Sequence, residues 1–368
     1  MLSGTPQGSG LLPVLFAIFL QSLAETLDRR IKELEAEDSK KVGGIKELRD
    51  KLHYSMYADD VKLCTAIWDE SDMEVMQETL EVVYRWAETN GMIFSAGKTK
   101  CLKIGREIII GQYRGAGGEE LEWEDHLKDL GVLVGCDGTM TPTVEEVIGK
   151  VRKTSWWIIR TFRNRTPNFW KFMWMNYISP QYEYCGPLYY PTIYQDIDAM
   201  EAGQKAFLKH ILGLQGVHHW DKLKVLDLSS VQRRTERFTI ICYWKILNGL
   251  ISGPETFKTK EGRLGVTAVF PTWPRGTAPW VVKLRRGSFH YRACLLFNST
   301  PRWVREIKGG TVDSFKRQLN KYLSVVPDCP RDISGGYYPK PYDRDVQTPS
   351  NLLIHWGSYL REQRPGLD

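Results

Sequence analysis

The sequence lacks paired cysteines. Its 368 residues include seven scattered cysteines, an odd number, and no two of them form a C-x-x-C pair. This pattern argues against a disulfide framework and a structural zinc site, and it predicts an intracellular protein, nuclear or cytoplasmic rather than secreted. The adjacent His218 and His219 lack partners at metal-ligand spacing, which favours an ordinary surface or core pair.

Long apolar runs are also missing. The most apolar stretch, residues 11–20, is too short to span a bilayer and contains Pro13. No basic residue precedes it, so it does not have the form of a signal peptide. We therefore predict a buried helix here and no membrane contact.

Positive charge is scarce in the first part of the chain. Residues 1–150 carry 17 basic and 27 acidic side chains. Residues 151–368 carry 33 basic and 17 acidic side chains, so the net charge of the whole chain is +6. A basic region of this kind favours a polyanionic partner such as nucleic acid. A merely solvated basic surface is the alternative reading of the same numbers.

What is present is an alternating pattern over residues 53–64, HYSMYADDVKLC, with Asp59 and Asp60 at its centre. Alternation predicts a β-hairpin, and the two carboxylates fall at its turn. Two ionised carboxylates about 5 Å apart repel by roughly 3 kcal/mol at an effective dielectric near 20. Either water solvates both groups, or they bind Mg²⁺ as in phosphoryl-transfer enzymes. The four letters YADD leave both readings open.

Helical patterns flank and follow this hairpin. Ser71-x-x-Glu74 has the form of a capping box and predicts a helix that ends at Asn90-Gly91. Long helical patterns run through residues 141–250. Glycine and proline become dense after Asn248 and predict weak organisation until about residue 311.

Four segments occur in an order that resembles the reverse transcriptases of non-LTR (LINE-type) retrotransposons. They are GTPQGSGLLPVLFAIFLQSL (motif B), YADD (motif C), AETNGMIFSAGKTKCLKIG (motif D) and HLKDLGVLV (motif E). The likeness extends downstream to about residue 323 through RTFRNRTPNFW, SPQYEYCGPLYYP, WKILNG, FNSTP and SFKRQLNKYL. Any one motif is a weak signal, whereas four in order are a strong one.

The resemblance implies an α+β fold with four parts. Residues 1–140 would form a partial polymerase palm with the YADD hairpin and its helices, and residues 141–250 an all-helical thumb. Residues 251–325 would form a C-terminal extension, and residues 326–368 a loosely ordered tail. The partners implied are an RNA template and a DNA primer, and the cofactor is Mg²⁺.

The resemblance also implies roles in the palm. Asp59 would be a metal ligand, and Asp60 would support the metal or the primer end. Tyr57 would lie near the new end of the nucleic acid. Gln7 and Gly8 would meet template and nucleotide.

Two further palm roles follow from the same resemblance. Lys98 would face the pyrophosphate side of the nucleotide, and Leu130, Gly131 and Val132 would form the primer grip. The alternatives are a flexible turn at residues 4–10, a solvated lysine at position 98 and a plain core strand at positions 130–132.

Aromatic and basic residues alternate in the thumb-like region. Trp156, Trp157, Trp170, Trp174 and Tyr177 suggest base stacking, although aromatic residues at helical spacing mostly belong to a core. The basic companions are the better candidates for contacts with the nucleic-acid backbone. They are Arg152, Lys153, Arg160, Arg163 and Arg165.

The sequence departs from the family before motif B. Family members carry fingers and a first palm strand there, which supplies a further aspartate, whereas three residues precede Gly4 here. Gln21-Ser22 also stands where Asn-Asp is usual. We therefore expect a weak or incomplete Mg²⁺ site and no polymerisation by this chain alone, with a missing fingers and first-palm segment as a possible partner.

Two other functions stay open on the sequence alone. The chain could be a non-catalytic nucleic-acid-binding protein derived from such an element, built on the basic helical region. It could also be a structural or interaction protein in which the acidic hairpin is ordinary surface.

Overall fold

The computed structural model describes residues 10–38, 52–67, 69–105, 111–189, 194–253, 256–262, 265–307, 310–326 and 328. The chain divides into two compact units, Met1–Leu127 and Lys128–Asp368. Helices and small sheets occur together, which confirms the α+β class. The division into palm, thumb, extension and tail stays a prediction, and residues 329–368 lie outside the described residues.

The first unit is built on two helices and a hairpin. Helix α1 spans Leu12–Asp38 and helix α2 spans Glu70–Thr89, and the strands β1 (Leu52–Tyr57) and β2 (Asp60–Thr65) lie between them in the chain. The strands pair antiparallel, from Leu52 opposite Thr65 to Tyr57 opposite Asp60. This register confirms the predicted hairpin. Two short strands, β3 (Cys101–Leu102) and β4 (Trp123–Glu124), pair in parallel further along.

One face of the hairpin covers a core. Side chains of α1, α2 and alternate hairpin positions pack together, because alternation along a strand sends every second side chain to the same face. The buried members are Leu20, Leu23, Leu27, Val83, Trp86 and Ala87, with Tyr54, Met56, Val61 and Leu63 packed against them. The other face of the hairpin is therefore exposed.

Two local predictions in this unit were wrong. Residues 12–20 do lie in helix α1, but Leu11, Val14, Leu15 and Ile18 are more than half exposed, because only the opposite stripe of α1 meets the hairpin and α2. The capping box lies two residues earlier than predicted. Asp69 accepts from the backbone of Asp72 and Asp72 accepts from the backbone of Asp69, whereas Ser71 donates its hydroxyl to Asp69.

The second unit begins with a hairpin and continues as helices. Strands β5 (His126–Asp129) and β6 (Val132–Gly135) form the hairpin, whose first two residues fall before the unit boundary. The helices that follow pack around Trp170, Trp174 and Phe207. They are α3 (Thr141–Thr161), α4 (Pro167–Met173), a π-helical turn (Trp174–Ile178), α5 (Ser179–Glu183), α6 (Gly186–Tyr189), α7 (Tyr194–Leu208), α8 (His219–Leu226) and α9 (Val231–Leu247).

A second core lies where glycine and proline had predicted weak organisation. Helix α9 packs there against a hairpin and further helices, around Tyr243, Trp244, Phe297 and Phe315. The elements are β7 (Thr259–Gly262), β8 (Gly265–Ala268), α10 (Pro279–Gly287), α11 (Phe289–Ser299), α12 (Arg302–Arg305) and α13 (Val312–Val325). Within the described ranges, every helix is too short or too polar to cross a bilayer.

Candidate catalytic hairpin and nucleic-acid surface

The two aspartates stand at the tip of the β1–β2 hairpin. Ala58 and Asp59 form a two-residue turn, and Asp60 opens β2 opposite Tyr57. Ala58 has a φ of 50°, a left-handed conformation that costs a residue with a side chain about 1 kcal/mol. Tight turns of this kind are needed to join adjacent strands with only two residues. The turn therefore places both carboxylates at the solvent-exposed end of the hairpin.

The open face of the hairpin carries exposed polar and aromatic side chains. Cross-strand partners share a face of a sheet, so Tyr57 and Asp60 lie side by side, and Ser55 and Lys62 form the next pair on that face. Tyr57 is 66% exposed although it is a large aromatic residue. The arrangement leaves an aromatic ring and a carboxylate next to each other and open to a ligand.

The carboxylates of Asp59 and Asp60 are the type of ligand that Mg²⁺ prefers, but two of them are too few for a tight site. Carboxylate oxygens are the ligands that Mg²⁺ prefers. In the ranges that the structure describes, however, no group of three histidine, cysteine or acidic residues is arranged to hold a metal ion. Asp59 and Asp60 fit a weakly bound ion, and a tight two-metal site needs further carboxylates from another strand.

Of the remaining predicted palm residues, the structure describes Lys98 but not Gln7 or Gly8. Gln7 and Gly8 lie outside the described residues. Lys98 ends a short 3₁₀ turn, Ala96–Lys98, and is exposed. Lys100, two residues on, forms ion pairs with Glu122 and, at 3.3 Å, with Glu124. Of these two lysines, Lys98 is the one whose ammonium group faces solvent.

The predicted primer grip is the tip of the β5–β6 hairpin. Leu130 and Gly131 form its two-residue turn with φ angles of 46° and 86°, and Leu130 is 45% exposed. Val132 is buried in the core of the second unit, so its role there is packing. Both turn residues have left-handed backbone, which leucine adopts only at a cost in free energy.

Tyr184 supports this turn and was missed by sequence reasoning. Its hydroxyl donates a hydrogen bond of 2.8 Å to the carbonyl of Leu130. Its ring lies so close to Gly131 that a Cβ at that position would sit 3.2 Å from it. Tyr184 is part of the segment SPQYEYCGPLYYP, but the segment alone gives no indication of a contact with residue 130.

A cavity of about 300 Å³ lies beside the turn, lined by Gly131, Glu146, Lys150 and Tyr184 among others. Lys128 and Lys150 bind the Glu146 carboxylate at 2.7 and 2.8 Å. Hydrogen bonds from Lys128 and then Lys150 hold the pKa of Glu146 below its usual value. This bridge fixes the first half of α3 to the hairpin.

The exposed side of α3 carries alternating cations and aromatic rings. Arg152, Lys153, Trp156, Trp157 and Arg160 all face solvent. The guanidinium of Arg160 lies 4.4 Å from the ring centroid of Trp156, a cation–π arrangement. We call these five residues the α3 stripe. Its opposite side packs into the core through Val144, Val147, Ile148, Val151 and Ile158.

The two predicted cations in the loop after α3, Arg163 and Arg165, differ in their surroundings. Arg163 is exposed. Arg165 donates to the carbonyl of Ile159 at 3.0 Å, and its guanidinium lies 5.2 Å from the ring centroid of Trp170. Arg165 therefore stabilises the loop, and it has less freedom than Arg163 to contact a phosphate.

Comparison with known proteins gives one family. Residues 2–134 match the family model described as reverse transcriptase (RNA-dependent DNA polymerase). No curated protein and no solved structure matches the chain. The matched segment includes the YADD hairpin, Lys98 and the predicted primer grip. Over residues 2–134, about a third of its length, the chain is therefore similar to the reverse transcriptase family.

Proposed function

We propose that the chain is part of a non-LTR retrotransposon reverse transcriptase and carries one portion of its metal site. The observation that supports this most is the exposed tip of the β1–β2 hairpin, where Asp59 and Asp60 stand beside Tyr57, while α1 and α2 cover only the opposite face of the hairpin. Both carboxylates face solvent, and a bound cation would relieve their mutual repulsion.

Each of the candidate residues would have a separate role in nucleotidyl transfer. Asp59 and Asp60 would hold Mg²⁺, which when bound supplies charge stabilisation at the attacking hydroxyl and the leaving pyrophosphate. Tyr57 would pack against the primer end, and Lys98 would offset charge on the pyrophosphate. Leu130 and Gly131 would hold the primer strand, with Tyr184 fixing the turn through the carbonyl of Leu130.

By itself the chain is expected not to polymerise. Two metals held about 3.5–4 Å apart need bridging carboxylates from separate strands, and this hairpin offers adjacent ones only. A segment that supplies the first palm aspartate and the fingers would be the partner that completes the site. A primer-extension assay with Mg²⁺ should therefore give no product with this chain alone.

Replacing Asp59 by asparagine should weaken Mn²⁺ binding at the hairpin by about tenfold, or ~1.4 kcal/mol, because one of two charged ligands is lost. Mn²⁺ is a spectroscopic substitute for Mg²⁺, and its binding can be followed by electron paramagnetic resonance. Asp125→Asn is the matched control, since Asp125 is exposed in the same unit and also follows a carboxylate, Glu124, but Glu124 is already ion-paired with Lys100.

Equal Mn²⁺ affinity for the parent chain and Asp59→Asn would exclude the proposed metal site. Primer extension by the parent chain that disappears in Asp59→Asn would support the polymerase assignment. It would also refute the expectation that this chain is inactive alone.

The α3 stripe favours nucleic-acid binding even without catalysis. Cations beside exposed tryptophans suit phosphates and unstacked bases together. This supports the second candidate, a non-catalytic nucleic-acid-binding protein derived from a retrotransposon. The two candidates differ in metal dependence, because backbone binding through the stripe requires no Mg²⁺.

The double variant Arg152→Gln/Lys153→Gln should bind an RNA–DNA duplex about tenfold more weakly near 0.1 M salt. The slope of log affinity against log salt should fall by about 2, since each phosphate contact contributes about 0.9. Fluorescence anisotropy over a range of salt concentrations measures both. Arg317→Gln/Lys321→Gln removes two exposed cations from α13 and should change neither. Equal losses in both variants would refute the α3 stripe as a binding surface.

A further inference from the structure

The cavity beside the β5–β6 turn has no part in either proposal above. It lies within the second unit, between α3 and α5, and has a volume of about 300 Å³. Pockets for small molecules in proteins have volumes of roughly 300–1,000 Å³. The cavity is at the lower end of that range, so it has room for one small ring system and not for a folded partner. We call it the α3–α5 cavity.

The floor of the α3–α5 cavity is apolar, and its hydroxyl groups are already paired. Val132, Val147 and Tyr189 are each less than a tenth exposed. The buried Thr143 donates its hydroxyl to a backbone carbonyl of β6 at 2.8 Å, and the hydroxyl of Tyr189 donates to the carbonyl of Tyr182 at 2.8 Å. A phosphate would lose water at such a floor without meeting a cation, whereas an uncharged ring would bury apolar surface there.

The rim of the α3–α5 cavity offers an aromatic ring and a cation. Tyr184 is 61% exposed, and its ring is held in place because its hydroxyl donates to the backbone of the β5–β6 turn. The exposed Lys150 is held by the Glu146 carboxylate at 2.8 Å. The side-chain amide of Gln181 donates to the hydroxyl of Thr154 at 2.8 Å and so joins α5 to α3. A preformed rim of this kind suits a ligand with a flat π face and a negative charge.

Cations and aromatic rings continue from this rim along α3. Residues three and four apart share a helix face, so Lys153 lies one turn from Lys150, and Trp157 lies one turn further on. Lys153 and Trp157 both belong to the α3 stripe, and Trp157 is 49% exposed. A strand whose phosphates follow the α3 stripe would therefore pass the opening of the α3–α5 cavity. This continuity favours a ring that is part of a nucleic-acid strand over a free aromatic compound.

We infer that the α3–α5 cavity binds one unpaired base of a nucleic-acid strand. The base would pack on the Tyr184 ring and cover Val132 and Val147, and its phosphate would stay outside at Lys150 and Lys153. The inference rests on the proposed nucleic-acid partner. Sequence reasoning did not predict this site, because its walls come from the β5–β6 turn, α3 and the segment from α5 to α6, which meet only in the fold.

The first test uses adenosine monophosphate and the full chain, with the valine methyl groups followed by NMR. The ring current of a base in the cavity should shift the methyl signals of Val132 and Val147. Val151 is buried on the same helix away from the cavity and should keep its signals. Ribose 5-phosphate, which has the phosphate but no base, should shift none of them. Unchanged Val132 and Val147 signals at millimolar nucleotide would overturn the inference.

An uncharged ring is the control for the kind of ligand. Benzyl alcohol has an aromatic ring but neither the phosphate nor the hydrogen-bonding edge of a base, so it should bind more weakly than adenosine monophosphate. Equal affinity for the two compounds would show a cavity that accepts any ring, and it would overturn the assignment to a nucleic-acid base.

The second test measures what the base adds to the binding of a nucleic acid. Two RNA–DNA duplexes each have one bulged nucleotide in the DNA strand, which carries adenine in one duplex and no base in the other, so their charges are equal. The duplex with the base should bind about tenfold more tightly, because stacking on an aromatic side chain stabilises an unpaired base. Fluorescence anisotropy measures both affinities, and equal values would overturn the inference.

Two variants of Tyr184 separate base stacking from support of the turn. Tyr184→Phe and Tyr184→Leu both lose the hydrogen bond to Leu130, but only Tyr184→Leu loses the aromatic ring. The preference for the duplex with the base should persist in Tyr184→Phe and fall below about twofold in Tyr184→Leu. Because Tyr184 is exposed, neither change puts folding at risk. A full preference in Tyr184→Leu would overturn the role of the ring.

The inference and the proposed function can fail separately. Loss of duplex binding in Arg152→Gln/Lys153→Gln, with no preference for the bulged base in the parent chain, would leave the nucleic-acid partner standing and reject the α3–α5 cavity as a base site. Methyl shifts with adenosine monophosphate in a chain that binds no duplex would refute the nucleic-acid strand as the ligand and leave a site for a free nucleotide.

Discussion

Replacing Trp170 by alanine should lower the free energy of unfolding by about 3–5 kcal/mol, the largest single effect expected in this chain. Trp170 has no exposed surface, and its ring stacks on Phe207 with centroids 5.0 Å apart and an interplanar angle of 7°. Its indole N–H donates to the carbonyl of Phe207 at 3.0 Å. Alanine would leave a cavity between α4 and α7 and an unpaired carbonyl, and urea denaturation measures the loss.

Trp156→Ala is the matched control for this effect. Trp156 is 59% exposed and contacts Arg160 through its ring face, so its removal should cost less than about 1 kcal/mol. The same variant should weaken binding to single-stranded nucleic acid, because a base-stacking surface is lost. Similar stability losses in the two variants would contradict the assignment of Trp170 to the core and Trp156 to the surface.

The two tryptophans also show what the sequence could not decide. Helical spacing predicted that most aromatic residues in this region belong to the core, and Trp170 and Trp174 do. Trp156, Trp157 and Tyr177 do not, since they are 47–59% exposed. Periodicity reveals which residues share a helix face, but the face that is covered depends on which helices pack there, and that is a property of the whole fold.

Local patterns predicted the hairpin well and its strain not at all. Alternation placed both aspartates at the turn, and the register puts Asp59 in the turn and Asp60 first in β2, opposite Tyr57. It gave no sign that Ala58 and Leu130 adopt positive φ in the two hairpin turns. Glycine or asparagine would adopt that conformation at lower cost. Both turns carry proposed functional residues, and strain of this kind is often retained where function requires a particular side chain.

The C-terminal third could not be predicted from composition because its order comes from distant contacts. Dense glycine and proline suggested weak organisation after Asn248, yet Trp244 of α9 stacks on Phe315 of α13 with centroids 4.5 Å apart. Residues far apart in sequence thus form one core, and single-sequence patterns do not report such pairs.

A cluster of acids between α7, α9 and residue 328 leads to the second large prediction. Glu201 accepts from the backbone N–H of Gln232 at 2.8 Å, and Asp328 accepts from the backbone N–H and the hydroxyl of Ser230. Arg233 stands 3.5 Å from both Glu236 and Asp328. Glu236 and Asp328 thus share one guanidinium, and both act on the pKa of Glu201.

Burial is the main reason that these acids resist ionisation. It raises the pKa of Glu201 from 4.5 to about 8 and that of Glu236 to about 7, and it also raises the pKa of Asp328. Nearby carboxylates raise the pKa of Glu201 and Glu236 further, whereas Arg233 lowers that of Glu236 and Asp328. The folded state therefore holds protons that the unfolded state has already released at neutral pH.

Stability should consequently fall as the pH rises. A carboxyl group whose pKa is raised on folding stabilises the native state fully below its unfolded pKa, and this contribution is lost as the pH rises towards the folded pKa. The window for Glu201 runs from about pH 4.5 to about pH 8. We expect the free energy of unfolding to decrease across it by about 4 kcal/mol, measured by urea denaturation at several pH values.

Glu201→Gln isolates the contribution of this group. The amide resembles a protonated carboxyl group and can still accept from the N–H of Gln232, so the variant should match the parent near pH 5 and exceed its stability near pH 8. Glu145→Gln, an exposed change on α3, should leave the pH dependence as it is. A Glu201→Gln variant that is less stable than the parent at pH 8 would show that the ionised carboxylate is favoured there, and that its hydrogen bonds from the backbone outweigh the burial of Glu201.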